Sequence, residues 1–280
     1  MCNTIPEITL NDGLKIPSIG FGTYTLKGQR GIEVIKDAVK TGYRLLDSAF
    51  NYENEGTLGR AVKECSIARN QLFICSKLPG RHHAYKEALE TIEESLYRAD
   101  LDYYDMYLIH WPNPRVNQYV EAWQALIEAK KRGYIRSIGV CNFLPEHIDR
   151  LIKETGVCPS INQVELHPYF NQKEQREYNA KHHIVTQSWS PLGRGNALLT
   201  DAVITKIATA HQKSISQIIL RWHTQLGALP IPKASSIKHQ QENINIFDFK
   251  LSSAEMEQIS SLTRPDGRSF NQDPAVYEEF

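Results

Sequence analysis

The chain has 280 residues, with 32 Lys and Arg against 32 Asp and Glu, so its formal net charge at pH 7 is zero. This balance offers no basic surface for nucleic acid, and no apolar run approaches the roughly 18 residues of a membrane helix. The N-terminal segment MCNTIPEITLNDG lacks the basic and apolar regions of a signal peptide. We expect a cytoplasmic protein, with residues 1–280 forming one domain.

The first predicted element is a β-hairpin. In EITLNDGLKIP (7–17), Asp12 and Gly13 stand between two short apolar segments, which is the sequence signature of a tight turn. Because this hairpin precedes the first strand–helix unit, we expect it to cap the bottom of the fold that follows.

Amphipathic helices then recur along the chain. Residues 31–42, 119–133 and 144–156 each place apolar residues on one helical face. Each ends in a glycine, the residue favoured just past a helix C-terminus, and each is followed by a short apolar strand.

Eight strand candidates alternate with such helices, at spacings of about one strand–helix unit of roughly 30 residues. A longer gap before the last strand leaves room for extra helix in 201–226. Alternation implies a parallel sheet, and eight units predict a closed (β/α)8 TIM barrel, an α/β fold. A doubly wound sheet is the alternative. The strands are centred near Gly22, Leu46, Ile74, Leu108, Ile138, Gln163, Thr186 and Ile231.

Polar or aromatic residues stand at the ends of seven of these strands. In a barrel such positions meet at one rim. Each residue alone has an ordinary explanation, such as a helix cap or a solvated side chain, but their coincidence favours a functional site. They are Asp47, Lys77, His110, Asn142, Gln163, the pair Trp189 and Ser190, and Lys233.

Tyr52 lies five residues beyond Asp47 and completes a plausible acid–base set. A free tyrosine has a pKa near 10, and the ammonium of Lys77 is expected to lower it. Asp47 would pair with Lys77, and His110 would hydrogen-bond the same substrate oxygen. A tyrosine acid suits reduction of a carbonyl, which also needs a hydride; a nicotinamide cofactor is therefore implied.

Other motifs give little support to other functions. GFGTYT (20–25) and GRGNAL (193–198) match a dinucleotide-binding fingerprint poorly. The five cysteines are odd in number and scattered, which argues against disulfides and zinc and fits a reducing cytosol. We expect no metal site, and surface positions for the doublets His82-His83 and His182-His183. The cysteines are Cys2, Cys65, Cys75, Cys141 and Cys158.

A series of motifs extends over nearly the whole chain: GFGTY, DSAFNYENE, SKL, YLIHWP, IGVCNF…INQVELHP, WSPLGRG and IPKASS…EN. In this order they resemble the aldo-keto reductases, NAD(P)H-dependent (β/α)8 enzymes. The match is closest to microbial members similar to 2,5-diketo-gluconate and methylglyoxal reductases. The resemblance implies that Tyr52 is the proton donor, that Lys77 and Asp47 tune it, and that His110 orients the carbonyl.

The resemblance also implies an NADPH site. The residues at the nicotinamide-ribose end would be Thr23, Asp47, Asn142 and Gln163, with Trp189 stacked on the ring. Ser190 and Leu192 would lie over the pyrophosphate. The 2′-phosphate would meet Lys233, Ser235 and Ser236, and the adenine would meet Glu242 and Asn243.

Three positions depart from the family pattern. Cys141 and Ala234 stand where serine is common, and His239 stands where an arginine usually binds the 2′-phosphate. Arginine offers a permanent, bidentate charge, whereas histidine is mostly neutral at pH 7. We expect NADPH to be preferred because Lys233 remains, with weakened discrimination against NADH.

The substrate is expected to be a small aldehyde, ketone or α-dicarbonyl, because the loops are short. Tyr24, Phe50 and Trp111 are candidates for an apolar wall beside Tyr52 and His110. The tail containing Phe270, Tyr277 and Phe280 either folds over the pocket or is disordered. We expect a monomer. Two alternatives stay open: a non-catalytic NADPH-binding redox-sensing subunit, and a Schiff-base enzyme that uses Lys77 as nucleophile.

Overall fold

The computed structural model describes residues 5–195 and 197–280. Within these residues a two-stranded antiparallel hairpin precedes an eight-stranded parallel sheet, in which the strands follow one another in chain order. The hairpin strands are β1 (Glu7–Thr9) and β2 (Lys15–Pro17). The sheet strands are β3 (Phe21–Gly22), β4 (Leu45–Asp47), β5 (Phe73–Leu78), β6 (Tyr104–Ile109), β7 (Ile135–Cys141), β8 (Ile161–Glu165), β9 (Val185–Trp189) and β10 (Leu229–Pro230).

The sheet closes on itself. Gly20 N–H donates to Pro230 O at 3.0 Å and Gly22 N–H donates to Pro232 O at 3.1 Å, which joins the first strand to the last. The predicted (β/α)8 barrel is therefore confirmed and the doubly wound alternative is wrong. Strand β10 is short and ends at Pro230, one residue before Ile231, near which the strand was predicted to be centred. Pro230 and Pro232 lack the N–H groups that would extend the hydrogen-bond ladder.

The predicted helices are confirmed with small shifts at their ends. The first begins three residues earlier than predicted, and the interval 201–226 holds two helices. Gly42 and Gly156 follow two of the helices with positive φ values of 124° and 74°, a conformation that glycine adopts without strain. The helices are α1 (Gly28–Thr41), α2 (Glu55–Glu64), α3 (Tyr85–Ala99), α4 (Tyr119–Lys131), α5 (Pro145–Thr155), α6 (Lys173–Lys181), α7 (Ala202–His211), α8 (Ile215–Gln225), α9 (Ile237–Ile244) and α10 (Ser253–Ser260).

The hairpin caps one end of the barrel, as predicted. Ile16 is fully buried and packs in one apolar cluster with Leu45, Phe73 and Ile161, the first residues of their strands. Apolar side chains thus close the N-terminal end of the barrel. The C-terminal end, where the strands deliver their polar residues, is left open for a site.

The described residues include no helix that is both long and apolar enough to cross a bilayer. They also include no group of His, Cys, Asp and Glu side chains arranged to hold a metal ion. Cys75 and Cys141 are buried, Cys65 and Cys158 are partly buried, and all four are free thiols. Cys2 lies outside the described residues.

Candidate active site

A cavity of about 680 Å³ opens at the C-terminal end of the barrel. It lies where the rim residues were predicted to meet, and its lining comes from strands β3, β4, β8 and β9 and from residues that follow β6, β7 and β10. Most of the residues predicted for catalysis, for the nicotinamide end and for the substrate wall line this cavity. These are Tyr24, Asp47, Tyr52, His110, Trp111, Asn142, Gln163, Trp189, Ser190, Leu192 and Lys233.

A buried ion pair lies beneath the cavity. Lys77 is fully buried, and its Nζ donates to Asp47 Oδ1 and to the carbonyl oxygen of Ser48, each at 2.6 Å. The other Asp47 oxygen accepts a hydrogen bond from Gln163 Nε2 at 2.9 Å. Burial alone would lower the pKa of Lys77, but Asp47 and Tyr52 more than offset burial and raise it. The lysine therefore stays an ammonium, as a buried charge with a close partner does.

Tyr52 lies between this ammonium and the cavity. Its ring centroid is 5.0 Å from Lys77 Nζ and 5.9 Å from the His110 ring centroid. Burial raises the pKa of Tyr52 to about 12, and Lys77 acts in the opposite direction without reversing the shift. Lys77 thus acts in the expected direction, but the expected net lowering of the pKa is wrong because burial outweighs it. Tyr52 is a neutral phenol there, the form that can donate a proton.

An amide network borders the cavity on its far side. Asn142 adopts a left-handed backbone with φ of 60°, donates from Nδ2 to His110 O at 3.0 Å and accepts from Trp189 Nε1 at 2.8 Å. Gln163 Nε2 also donates to Gln187 Oε1 at 2.8 Å. Two amide side chains beside an indole ring suit a planar ring that carries a carboxamide.

Thr23 holds the end of strand β4 in place beside the cavity. It is fully buried, and its Oγ1 donates to the main-chain oxygen of Asp47 at 2.9 Å, so it fixes the strand end that presents the carboxylate.

The residues predicted for the adenosine end lie at the opposite margin. Lys233 follows β10 and donates to Thr25 Oγ1 at 2.9 Å. Ser236 is the N-cap of α9, and its Oγ accepts from His239 N at 3.3 Å. The serines, His239 and the Lys233 side chain are exposed, so cationic and hydroxyl groups suited to phosphate are accessible there. Ser235, Ser236, His239, Glu242 and Asn243 are not among the cavity-lining residues.

Phe50 is not part of the cavity wall, contrary to the sequence-based expectation. Its side chain is buried, and its ring packs 3.9 Å beneath the guanidinium carbon of Arg98 and 5.7 Å from the His82 ring. The short 3-10 turn from Phe50 to Tyr52 presents the tyrosine to the cavity and the phenylalanine to the neighbouring elements. The expectation of a surface position for His83 is also wrong, because this side chain is 1% exposed.

The C-terminal tail contributes two side chains to the cavity: Tyr277, which the sequence analysis named as a residue that either folds over the pocket or is disordered, and Glu279, which it did not name. Tyr277 lines the cavity and its ring lies 4.4 Å from that of Trp111, whereas Phe270 and Phe280 are exposed. Glu279 also lines the cavity, with Oε1 only 2.7 Å from His110 Nδ1. A glutamate in a polar tail has no sequence signal that distinguishes it from a solvated one.

Comparisons with known proteins agree with this geometry. Residues 18–264 match the model of the Aldo/keto reductase family. The chain is 46% identical to 2,5-diketo-D-gluconic acid reductase B of Corynebacterium sp., with 98% of this chain and 99% of that protein covered. It is 42% identical to methylglyoxal reductase DkgA of Escherichia coli, with coverages of 95% and 96%.

Among solved structures, apo Gox0644 has a TM-score of 0.94 at 41% identity and covers 99% of this chain and 100% of its own. A Gox0644 mutant crystallised with NADPH has the same TM-score at 40% identity and the same coverages. The family match covers well over half of the sequence, and these relatives span nearly all of it. The chain belongs to the aldo/keto reductase family.

Proposed function

We propose that this protein uses NADPH to reduce small aldehydes, ketones and α-dicarbonyls to alcohols, with Tyr52 as the proton donor. The observation that carries the proposal is the convergence of Asp47, Lys77, Tyr52 and His110 at one end of a cavity. The names of the relatives, a diketogluconic acid reductase and a methylglyoxal reductase, support small dicarbonyl substrates.

The donor set of the cavity fits a nicotinamide dinucleotide phosphate. Asn142 and Gln163 would hold the carboxamide and Trp189 would lie against the ring, while Lys233 and the start of α9 would receive phosphate. When bound, NADPH supplies the hydride. A similar protein, the Gox0644 mutant, was crystallised with NADPH, which supports NADPH as the cofactor.

The chain's own residues handle the proton. A neutral Tyr52 hydroxyl donates to the carbonyl oxygen as that oxygen gains negative charge. Loss of the proton leaves a phenolate, which the ammonium of Lys77 stabilises, because the charge of this fully buried side chain is weakly screened. His110 lies beside Tyr52 and orients the same oxygen. Asp47 keeps Lys77 protonated and in place.

The same geometry opposes a Schiff-base mechanism. A nucleophilic lysine needs a neutral amine and access to substrate. Lys77 instead is fully buried, its pKa is raised, and its Nζ contacts two oxygens at 2.6 Å. The redox-sensing alternative is opposed by the completeness of the acid–base set.

The test is Tyr52→Phe. We expect kcat for a panel of small carbonyls, followed by NADPH absorbance, to fall by about 10²–10⁴-fold, the usual contribution of a general acid. The dissociation constant for NADPH should be unchanged, because the ring is retained. Tyr24→Phe is the matched control, since its ring lies 5.0 Å from that of Tyr52 and is half exposed at the rim. Undiminished turnover in Tyr52→Phe would remove the mechanism.

A further inference from the structure

The carboxylate of Glu279 is held inside the cavity by a defined set of donors. Its Oε2 accepts from the main-chain N–H of Gly80 at 2.9 Å, and its Oε1 accepts from Asn51 Nδ2 at 2.8 Å. The same Oε1 lies 2.7 Å from His110 Nδ1. Glu279 is 8% exposed, so the carboxylate sits at the carbonyl-binding end of the cavity and not in solvent.

The main chain of this residue is held equally well. Asn113 is fully buried; its Oδ1 accepts from Glu279 N at 3.0 Å and its Nδ2 donates to Glu279 O at 2.8 Å. Gly80 has room for this arrangement only because it lacks a side chain, since a Cβ there would lie 2.5 Å from Glu279 O. Gly80 and Asn113, which are distant in sequence, thus fix the main chain of Glu279 against the barrel.

The carboxylate is charged at neutral pH. Burial alone would raise the pKa of Glu279, but His110, Gly80 and Asn51 outweigh burial and hold it at about 2. His83 is also close enough to interact with this charge. Arg81 reaches the region only through Asn51, to which it donates a hydrogen bond.

The other cations at the cavity either have an acidic partner or lie on the side assigned to the cofactor phosphates. Lys77 is paired with Asp47. Arg194 donates to Ser190 Oγ at 3.0 Å, and Lys233 donates to Thr25 Oγ1, both on the side assigned to the cofactor phosphates. A substrate held by Tyr52 and His110 therefore meets a negative charge at this end of the cavity.

We propose that Glu279 is a specificity-determining residue that makes the cavity select uncharged carbonyl compounds over carbonyl compounds that carry a carboxylate. The inference rests on the proposed function and narrows its substrate class. A fixed buried charge of the same sign discriminates by repulsion, which is weakly screened where water is excluded. Of the two substrate kinds in the relatives' names, the uncharged α-dicarbonyl is favoured over the keto acid.

The test compares two substrates of nearly equal shape, para-formylbenzoate and the uncharged para-formylbenzamide, in the wild type and in Glu279→Gln. We expect the wild type to prefer the amide in kcat/KM. In Glu279→Gln this preference should shrink by about tenfold or more, chiefly through a lower KM for the carboxylate. If Glu279 had only a structural role, the substitution would lower kcat/KM for both substrates alike and leave the ratio of the two values unchanged.

Glu278→Gln is the matched control. Glu278 is the neighbouring acidic residue of the same tail and accepts from Arg115 N at 2.7 Å, but it does not line the cavity. Its removal should leave the ratio at the wild-type value. A ratio within twofold of the wild type in Glu279→Gln, or an equal change in Glu278→Gln, would overturn the proposal.

A binding measurement separates this inference from the proposed reaction. Benzoate and benzamide undergo no reduction, and their dissociation constants can be measured by calorimetry on the NADP complex. We expect Glu279→Gln to lower the dissociation constant of benzoate and to leave that of benzamide unchanged. If the wild type reduces no carbonyl while this shift occurs, the proposed function fails and the charge selection stands. An unchanged benzoate affinity overturns the selection even where reduction is intact.

Discussion

His83 is an unusual residue because it is buried without a polar partner. It follows the short turn after β5, is 1% exposed, and neither ring nitrogen has a hydrogen-bond partner among the described residues. Burial lowers the pKa of His83 to about 4, and Glu279 acts weakly in the opposite direction. A neutral imidazole is thus held in the folded protein at a pH where the unfolded chain would protonate it.

This predicts a loss of stability in mild acid. Because the folded pKa lies below the unfolded value of about 6.5, the unfolded chain binds the extra proton, and stability falls as the pH drops from about 6.5 toward 4. We expect His83→Phe to remove about 2–3 kcal/mol of the decrease in unfolding free energy between pH 7 and pH 4.5, measured by urea denaturation. The exposed His239→Phe should keep the wild-type decrease. Parallel wild-type and His83→Phe curves would contradict the prediction.

At the scale of elements, helices α2 and α3 approach so closely that packing overrides helix propensity. A Cβ on Gly59 of α2 would lie 1.7 Å from the carbonyl oxygen of Ala99, the last residue of α3. Glycine in a helix interior ordinarily costs about 0.5–1 kcal/mol relative to alanine. Here the glycine permits the contact between the two helices.

We therefore expect Gly59→Ala to destabilise the protein by about 1–3 kcal/mol, the usual cost of overpacking, although alanine is the better helix former. The measurement is the denaturant midpoint of unfolding. Gly56→Ala is the matched control, because it lies in the same helix and its added Cβ would be 3.2 Å from the nearest atom, Arg98 O. Equal midpoints for the two variants would show that the helices separate without cost.

Local sequence patterns predicted the elements of this fold, whereas contacts between distant segments could not be predicted from them. Periodicity and turn glycines are local, so the barrel, the hairpin and the rim positions of Asp47 and His110 followed from the pattern. The direction of Phe50 depends on a 3-10 turn that no periodicity describes. The place of Glu279 depends on Gly80 and Asn113, more than 160 residues away along the chain. The pKa of Tyr52 depends on burial, which spacing does not reveal.

At the scale of the whole molecule, one cavity joins distant parts of the chain. Its lining runs from Gly22 on the first barrel strand, past Lys233 after the last, to Glu279 in the C-terminal tail. The barrel closes between its first and last strands through Gly22 N–H and Pro232 O. A dinucleotide bound along this cavity would contact segments that are separate in the unfolded chain. Binding should therefore stabilise the entire barrel through mass action.

This linkage tests cofactor choice without turnover. At 100 times its dissociation constant, NADPH should stabilise the fold by about 2.7 kcal/mol, and NADH at the same concentration should stabilise it only slightly less, because His239 replaces an arginine. His239→Arg should widen the gap in Tm, since arginine adds a permanent, bidentate charge for the 2′-phosphate. Lys238→Arg, also exposed on α9, is the matched control and should leave the gap unchanged. A large wild-type preference for NADPH that His239→Ala does not alter would show that Lys233 and the serines discriminate unaided.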